Sequence, residues 1–552
     1  MLLRSRSGLR AFEARCPHQG ALLGEGEIEG DALVCKNHRW RFDAASGRRL
    51  GGGTECLRAC EVREVDGDVL VDPSPLTRVV SSTAAATRRL DDLPGPRAFP
   101  VIGNAFQVER TRLHLRLEEW ARTFGPMYLL RFGPRKILVV SDPDLVEPMH
   151  RARPDVYRRP SQIEDVFGEL RVAGVFSAEG EAWRAQRRLA MEALSQRHLR
   201  GFYPALARIT ERMLRRWGDA ADTGRVIDVA DELKRFTVDV TTLLVFGHDL
   251  NTLEKGDHDI IQRHLEHLFP ALSRRLNSLV PYWRLFRLPA DRRVDRAVAS
   301  IYAWLETVLQ QAREALAADP ARAEAPANFI EIMLTARDAE GRPFSDEVIL
   351  GNGLTMLLAG EDTTAYTLTW AMHHLCDLPG CVEALRREAT ATFGEAALPA
   401  NLEEASRLAY AAAIANESMR LRPVAPLPIF EPVVDVTVGD VAVPRGTNIV
   451  YVARSATLSH AYFDSPKEFV PERWLEGGRA GKAHEASTHA PFGSGPRICP
   501  GRSLALLEMR VVLAAVYKAF DFERVGARDD VKEVLSFAMT PVGVHLRLKR
   551  IL

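Results

Sequence analysis

Apolar positions change their spacing once along the chain. Up to about residue 72, short apolar runs alternate with polar residues between glycines, as in EVREVDGDVLVD, which predicts a small β domain with a hairpin around Gly67. Beyond residue 94, strand-like runs at 136–140 and 447–452 interrupt a helical i, i+3, i+4 spacing. That spacing predicts helices over 111–124, 181–200, 200–217, 226–247, 298–317, 345–376, 403–421 and 503–519.

These patterns predict a multi-domain chain. A small all-β domain over 1–72 is followed by a small, polar, proline-containing stretch over 73–93, which is typical of a linker. The remaining residues, 94–552, form a mainly α domain with minor β-sheets.

Composition narrows the function classes. The 552 residues are 46% hydrophobic and 26% charged with a formal net charge of +0, which is typical of a folded globular protein and gives no sign of a nucleic acid partner. The N-terminus carries arginines instead of a signal peptide, and no apolar stretch is long enough for a transmembrane segment, so we expect a cytoplasmic protein. Seven cysteines are too few for a disulfide scaffold, and the spacing of three favours metal ligation.

Two short segments of the first domain each offer one thiolate and one imidazole. Cys16 and His18 form a CxH pair, and Cys35 and His38 form a CxxH pair sixteen residues later. Two cysteines and two histidines can hold a two-iron cluster of raised reduction potential, and the same ligands also permit a zinc site.

The neighbours of these ligands favour the cluster. The segment RCPHQGALLGEGEIEGDALVCKNHRWRFDAASG resembles the Rieske [2Fe-2S] ferredoxin family, which implies that Cys16, His18, Cys35 and His38 are the cluster ligands. The chain departs from that family by having Lys36, Asn37 and Arg39 around His38 and by having few residues before Cys16.

A third candidate cysteine ligand, Cys499, lies in a glycine-rich loop before a predicted helix. Residues 492–501 read FGSGPRICPG, and a thiolate at Cys499 would be stabilised near the helix N-terminus, while Gly493 and Gly501 let the backbone approach the sulfur. The loop matches FxxGxRxCxG, including Phe492 and Arg497, and resembles the haem-binding loop of the cytochrome P-450 family. This resemblance implies haem b with Cys499 as the axial ligand.

Further motifs of that family follow in the expected order over some 460 residues. Glu417 and Arg420 form an ExxR pair and, with Arg473 of PERW, resemble the family's buried structural triad. Trp183 and Arg187 form a WxxxR pair that resembles the family's haem-propionate contacts.

The segment AGEDTT lies inside the long helix predicted over 345–376 and resembles the family's oxygen-binding helix. The resemblance implies that small Ala359 and Gly360 leave room at the haem, and that Asp362 and Thr363 deliver protons to bound oxygen. A threonine hydroxyl such as that of Thr363 can bond outward instead of to the i−4 carbonyl. Glu361 is interpreted as solvated or structural, and a polar patch that opens the helix to water remains an alternative for the whole segment.

One expected haem contact is missing. The family commonly has an arginine near Phe430 that contacts a haem propionate, and this sequence has none there. Anchoring is therefore expected to shift to Arg187, Arg497 or a histidine such as His460.

Together the two resemblances imply a monooxygenase that inserts one atom of O2 into an apolar small-molecule substrate. Electrons would pass through the fused cluster from an external NAD(P)H-dependent ferredoxin reductase, because no nucleotide-binding fingerprint occurs in the chain. Charge pairs between residues 25–31 and Arg184 or Arg188 are one hypothesis for domain docking.

Three alternatives remain open. A non-haem iron oxygenase would use Asp257, His264 and His267 as iron ligands. A redox sensor would need no turnover, and a peroxide-driven or isomerase-type haem-thiolate enzyme would leave the Rieske domain vestigial.

Overall fold

The structure is a computed structural model. It describes residues 1–5, 8–14, 16, 23–35, 40–51, 56–65, 68–72, 86–255, 260–276, 278, 280–338, 340–475 and 488–551. The predicted ligands His18 and His38, and with them Lys36, Asn37, Arg39 and Asp257, lie outside the described residues.

The first domain consists of two antiparallel sheets. One has the order β1-β2-β7-β8, from Leu2–Ser5, Gly8–Phe12, Ala59–Val65 and Asp68–Asp72, and the other has the order β3-β4-β5-β6, from Glu27–Glu29, Ala32–Val34, Arg41–Asp43 and Arg49–Leu50. Val65 pairs directly with Asp68, so the hairpin predicted around Gly67 is confirmed by its two strands. Phe12, Leu33 and Phe42 are buried between the sheets.

The end of the predicted linker belongs to the second domain. β9, Arg88–Arg89, pairs in parallel with β16, Val441–Val443, and the Arg88 guanidinium donates two hydrogen bonds of 2.7 Å to Asp440. Leu90 is buried in a hydrophobic cluster that also contains Val441 and Val443. The predicted linker over 73–93 therefore does not extend past residue 87, because a bidentate ion pair and apolar burial fix the residues that follow.

Helices form most of the second domain, as predicted. They are α1 Leu113–Phe124, α2 Pro143–Arg151, α3 Ser161–Glu169, α4 Gly180–Ala193, α5 Gln196–Thr223, α6 Val229–Phe246, α7 Thr252–Lys255, α8 Ile260–Leu276, α9 Pro289–Ala318, α10 Pro320–Glu324, α11 Phe329–Thr335, α12 Asp346–Leu375, α13 Pro379–Phe393, α14 Leu402–Ser406, α15 Ala409–Leu421, α16 Ala453–Thr457 and α17 Arg502–Ala519.

Several predicted helix boundaries were wrong, and two of them have a cause in side-chain capping. The helix predicted over 181–200 ends at Ala193, because Ser195 caps α5 with its side chain. The helix predicted over 403–421 is divided into α14 and α15. The carboxylate of Glu388, on α13, accepts the N–H groups of Tyr410 at 2.6 Å and Ala411 at 2.9 Å, and so caps the second helix from a distance in sequence.

The largest sheet packs beside these helices. Its order is β10-β11-β17-β14-β12, from Met127–Phe132, Arg135–Val140, Asn448–Tyr451, Ile429–Pro432 and Tyr157–Arg158. Both predicted strands are present as β11 and β17. The remaining strands of the domain are β13 Ile227–Asp228, β15 Val436–Val438, β18 Phe520–Val525, β19 Lys532–Leu535, β20 Met539–Val542 and β21 His545–Arg550.

Helix α12 crosses the interior of the second domain. Most of its side chains are buried, and it packs against α6, α15 and α17. A hydrophobic core that includes Trp217, Phe236 and Leu513 surrounds its second half. Within the described ranges, no helix combines the length and apolarity that a membrane crossing needs.

Candidate functional site

The two cysteines of the first domain lie in one cluster. Cys16 and Cys35 are both buried, at 2% and 1% exposure, and pack with Phe12, Leu33 and Phe42. The Cys35 N–H donates to the carbonyl of Trp40 at 2.7 Å, which fixes the start of the second ligand segment. The structure therefore brings together the two predicted thiolate ligands.

Cys499 lies in a tight loop directly before α17. Its N–H donates to the Phe492 carbonyl at 2.8 Å, and a Cβ on Gly501 would lie 3.7 Å from the Cys499 sulfur. Gly495 has φ +69°, and a Cβ there would meet the His150 carbonyl at 2.2 Å, so the loop requires glycine.

The electrostatic surroundings of Cys499 suit a thiolate ligand. Burial raises the pKa of the thiol, while the Gly501 N–H and the guanidiniums of Arg187 and Arg159 lower it. A sulfur near a helix N-terminus and these cations can remain ionised once iron shares its charge. The predicted Arg187 thus lies within electrostatic range of the sulfur.

Arg497 is a buried cation with unused donors. Its Nη2 donates to the Ala178 carbonyl at 2.9 Å and to the Glu179 carboxylate, and its guanidinium carbon lies 4.4 Å from the centre of the Trp183 ring. Burial lowers the pKa of Arg497 to about 10. Its Nε and Nη1 are buried with no hydrogen-bond partner among the described residues.

A neighbouring arginine repeats this arrangement. Arg153 is buried, and its Nε and Nη2 have no partner in the part of the chain that the structure describes. Arg159 lies close to Arg153 and Arg497, which together with burial lower its pKa. Buried guanidiniums with free donors fit the two carboxylates of a haem, so the donor set matches the cofactor that the sequence implies.

Sequence reasoning missed Arg153 and Arg159. The signal available was the basic segment HRARPDVYRRP between α2 and α3, which carries no family motif. His460, considered as an anchor, is exposed in the structure, so it does not belong to this buried cluster.

Ala359 marks an opening on α12. It is exposed although the residues of the preceding turn, Leu357 and Leu358, are buried. Thr363, one turn further, donates its hydroxyl to the Ala359 carbonyl at 3.0 Å. Of the two bonds open to this hydroxyl, the structure has the one to the i−4 carbonyl, because that carbonyl is the nearest acceptor in a helix. The oxygen of its hydroxyl still has free lone pairs.

Gly360 serves helix packing. A Cβ on Gly360 would lie 2.6 Å from the Thr241 hydroxyl of α6, so the glycine permits close approach of α6 and α12. This contact gives Gly360 a packing role, and leaving room at the haem stays a prediction for Ala359 and Gly360.

The two acidic residues of the segment are both buried. Burial raises the pKa of Asp362, whereas Lys234 and a hydrogen bond with Tyr366 lower it. Glu361 is 2% exposed, and its carbonyl accepts from Thr237 at 2.9 Å. The solvated interpretation of Glu361 was therefore wrong, and the structural one agrees with its position.

Glu417, Arg420 and Arg473 meet in a buried network. The Glu417 carboxylate accepts from Arg420 at 2.7 and 2.9 Å, from Arg473 at 3.1 Å and from the Trp474 indole at 2.9 Å. Arg420 also donates to carbonyls of Thr457, Pro466 and Glu468 at 2.6–2.9 Å. This network fixes the segment before the Cys499 loop.

Two other hypotheses lose support. Arg184 pairs with Asp155 at 2.9 Å and with Glu181, and Arg188 donates to the Arg337 carbonyl at 3.0 Å, so both are engaged within their own domain. For the non-haem iron alternative, His264 and His267 both lie on α8, where the His267 side chain is exposed.

Comparisons with known proteins match both domains. A family model described as Cytochrome P450 matches residues 93–548, and one described as Rieske [2Fe-2S] domain matches residues 1–57. The chain is 27% identical over 474 residues to the chloroplastic carotene epsilon-monooxygenase of Arabidopsis thaliana, covering 82% of this chain and 83% of that protein. It is 29% identical over 461 residues to the mitochondrial 25-hydroxyvitamin D-1 alpha hydroxylase of Homo sapiens, covering 80% and 88%. It is also 26% identical over 450 residues to the chloroplastic protein LUTEIN DEFICIENT 5 of Arabidopsis thaliana, covering 79% and 74%.

Proposed function

Because this chain belongs to the cytochrome P450 family and carries an N-terminal Rieske [2Fe-2S] domain, we propose a single-chain electron route for its monooxygenase activity. A cluster held by Cys16, Cys35 and their two histidines would supply electrons from an external NAD(P)H-dependent ferredoxin reductase to a haem held by Cys499. One atom of O2 would then enter an apolar organic substrate. We also propose that the protein acts in the cytoplasm.

Arg502 carries the electron-route proposal. It is the first residue of α17, three positions after Cys499, and its guanidinium interacts electrostatically with both Cys35 and Cys499. Burial and Arg510 lower the pKa of Arg502, whereas the negative charge of the Cys35 and Cys499 thiolates acts in the opposite direction. One side chain therefore lies within electrostatic range of a cluster ligand and of the haem ligand, which favours direct transfer between the two centres. A tethered donor also acts at an effective concentration in the ~mM range.

When bound, the haem supplies the O2-activating chemistry. The residues of α12 supply protons: Asp362, whose pKa is raised by burial, holds a proton near neutral pH more readily than an exposed aspartate. The oxygen of the Thr363 hydroxyl then accepts a hydrogen bond from water and so positions that water beside the opening at Ala359.

A cluster of phenylalanines supports an apolar substrate. Phe537, in the β19–β20 turn, has its ring centre 6.1 Å from that of Phe167, 6.0 Å from Phe176 and 5.7 Å from Phe269. The segment before Phe176 is held on α12, because Thr355 donates to the Val172 carbonyl at 2.9 Å. An aromatic wall next to this part of α12 favours hydrocarbon frameworks. Carotene and 25-hydroxyvitamin D, named for the relatives, belong to that class.

Turnover with NAD(P)H, a ferredoxin reductase and labelled O2 tests this function. We expect one labelled oxygen atom in the product of an apolar substrate and water as the second product. Cys35→Ala should abolish NAD(P)H-driven turnover and leave the haem-thiolate carbonyl spectrum after dithionite unchanged. The control Cys56→Ala replaces an exposed cysteine of the same domain and should behave as wild type.

Three other results would each contradict a different part of the proposal. Undiminished NAD(P)H-driven turnover in Cys35→Ala would refute the electron route. Product formation with peroxide alone, without O2 and reductase, would favour a peroxide-driven enzyme. A chain that consumes no NAD(P)H with any apolar substrate would favour a redox sensor.

A further inference from the structure

We propose that Arg153, which no sequence motif marks, binds a haem propionate together with Arg497. The inference rests on haem binding alone and is independent of the electron route and of the substrate.

The first observation is the position of the Arg153 side chain. Its guanidinium carbon lies 4.9 Å from the ring centre of Phe430, a fully buried residue of β14. The His150 ring meets the same phenylalanine edge-on, with ring centres 4.9 Å apart. Phe430 and His150 hold the guanidinium in place by packing, and Phe430 brings no charge to it.

The second observation is the unused hydrogen-bonding capacity. Arg153 is 7% exposed, yet its Nε and Nη2 have no acceptor within the described ranges of the chain. A buried cation with free donors is costly unless an anion pairs with it. The Arg153 side chain is therefore suited to pair with an anion.

The third observation is that the nearby carboxylate is already engaged. Burial and the neighbouring Arg497 lower the pKa of Arg153 to about 10, and Glu179 acts in the opposite direction. The Glu179 carboxylate accepts from Arg497 and from the Arg159 N–H at 3.2 Å. One carboxylate therefore faces several guanidiniums, and the cluster has an excess of positive charge.

His150 adds no anion to this cluster. Burial, assisted by Arg153, lowers the pKa of His150 to about 3, so its imidazole is neutral at physiological pH. The remaining positive charge and the free donors of Arg153 and Arg497 match two carboxylates. The two haem propionates supply this number, one for each guanidinium.

The rate of haem transfer from the full-length holoprotein to apomyoglobin tests the inference. Arg153→Gln should release haem about tenfold to hundredfold faster than wild type, as expected when hydrogen bonds to a charged group are lost. The matched control Arg151→Gln, an exposed residue that pairs with Glu147, should release haem at the wild-type rate. Far-UV circular dichroism of the apoproteins checks that each variant folds.

Reconstitution with haem dimethyl ester separates a direct contact from a structural role. The ester has no propionate charge, so wild type and Arg153→Gln should lose it at equal rates. If Arg153→Gln does not fold, Arg153→Lys, which keeps the cation, is compared with wild type in the same pair of reconstitutions. A wild-type rate of haem loss in the variant, or an unchanged difference with the ester, would overturn the proposal.

Discussion

Two buried arginine clusters in the P450 domain differ in how their charges are satisfied. In the first, Arg420 and Arg473 are paired with Glu417 and donate to backbone carbonyls. In the second, Arg153 and Arg497 keep donors that find no acceptor within the described residues. Buried polar groups are normally paired, so a saturated cluster serves the fold, whereas an unsaturated cluster indicates a ligand.

The difference has a thermodynamic consequence. The Glu417 network should stabilise the chain equally with and without haem, because its partners all belong to the protein. The Arg153–Arg497 cluster should cost stability in the apoprotein and recover it when the propionates bind. Variants in the first cluster should therefore lose the same stability with and without haem, whereas the effect of variants in the second should depend on haem.

The largest effect is expected at the saturated cluster. Glu417→Gln leaves two buried guanidiniums without their carboxylate and should lower the free energy of unfolding by about 3–5 kcal/mol in apoprotein and holoprotein alike. Urea unfolding of both forms measures this change. The exposed Glu383→Gln, which loses a surface pair with Arg387, should change it by less than about 1 kcal/mol. A loss confined to the holoprotein would contradict the comparison.

Asp362 shares features with both clusters. It is buried and has a hydrogen bond to Tyr366, yet one of its oxygens has no partner among the described residues. Its function should lie in turnover. Asp362→Asn should lower the rate of product formation about a hundredfold and leave the haem-thiolate carbonyl spectrum unchanged. Product formed per NAD(P)H consumed gives the measurement, and near-wild-type turnover would remove Asp362 from the proton path.

A carboxylate that pairs with several cations sharpens the comparison through pH. Burial raises the pKa of Glu533, but His114, Arg454 and Arg422 outweigh it and lower the value to about 2. A lowered pKa stabilises the fold above the unfolded-state value of about 4.5, and this contribution is lost as pH falls toward 2.

Glu533→Gln should therefore remove on the order of 2 kcal/mol of stability at neutral pH. The free energy of unfolding of the variant should also fall less steeply as the pH is lowered. Urea unfolding of the apoprotein from neutral to acidic pH tests this. If the free energy of unfolding of the variant falls with pH as steeply as that of wild type, other carboxyl groups control the acid dependence.

The smallest effect on stability is expected at the unsaturated cluster. Arg497→Gln should weaken haem retention about tenfold or more and lower apoprotein stability far less than Glu417→Gln does. Haem transfer rates and apoprotein urea unfolding measure the two quantities. Equal loss in apoprotein and holoprotein would mean that Arg497 has a structural role like that of Arg420.

The features that the sequence could predict are local. The helices follow from their periodic spacing, whereas the loop around Cys499 and the ExxR pair are implied by the resemblance of short motifs to a known family. Each of these features depends on residues close together in the chain. Arg153 and Arg159 could not be found in this way, because tertiary packing brings them to Arg497. The packing of Gly360 against Thr241 could not be predicted for the same reason, since Thr241 lies on another helix. The break before α15 depends on Glu388, a residue of the preceding helix.

The central claim, direct transfer from the cluster to the haem of the same chain, has one decisive measurement. The cluster of the full-length protein is photoreduced under carbon monoxide, and the haem-thiolate carbonyl band is followed at several protein concentrations. Transfer within the chain predicts a first-order rate that is independent of concentration. A rate that rises in proportion to protein concentration, or no carbonyl band despite a reduced cluster, would contradict the account.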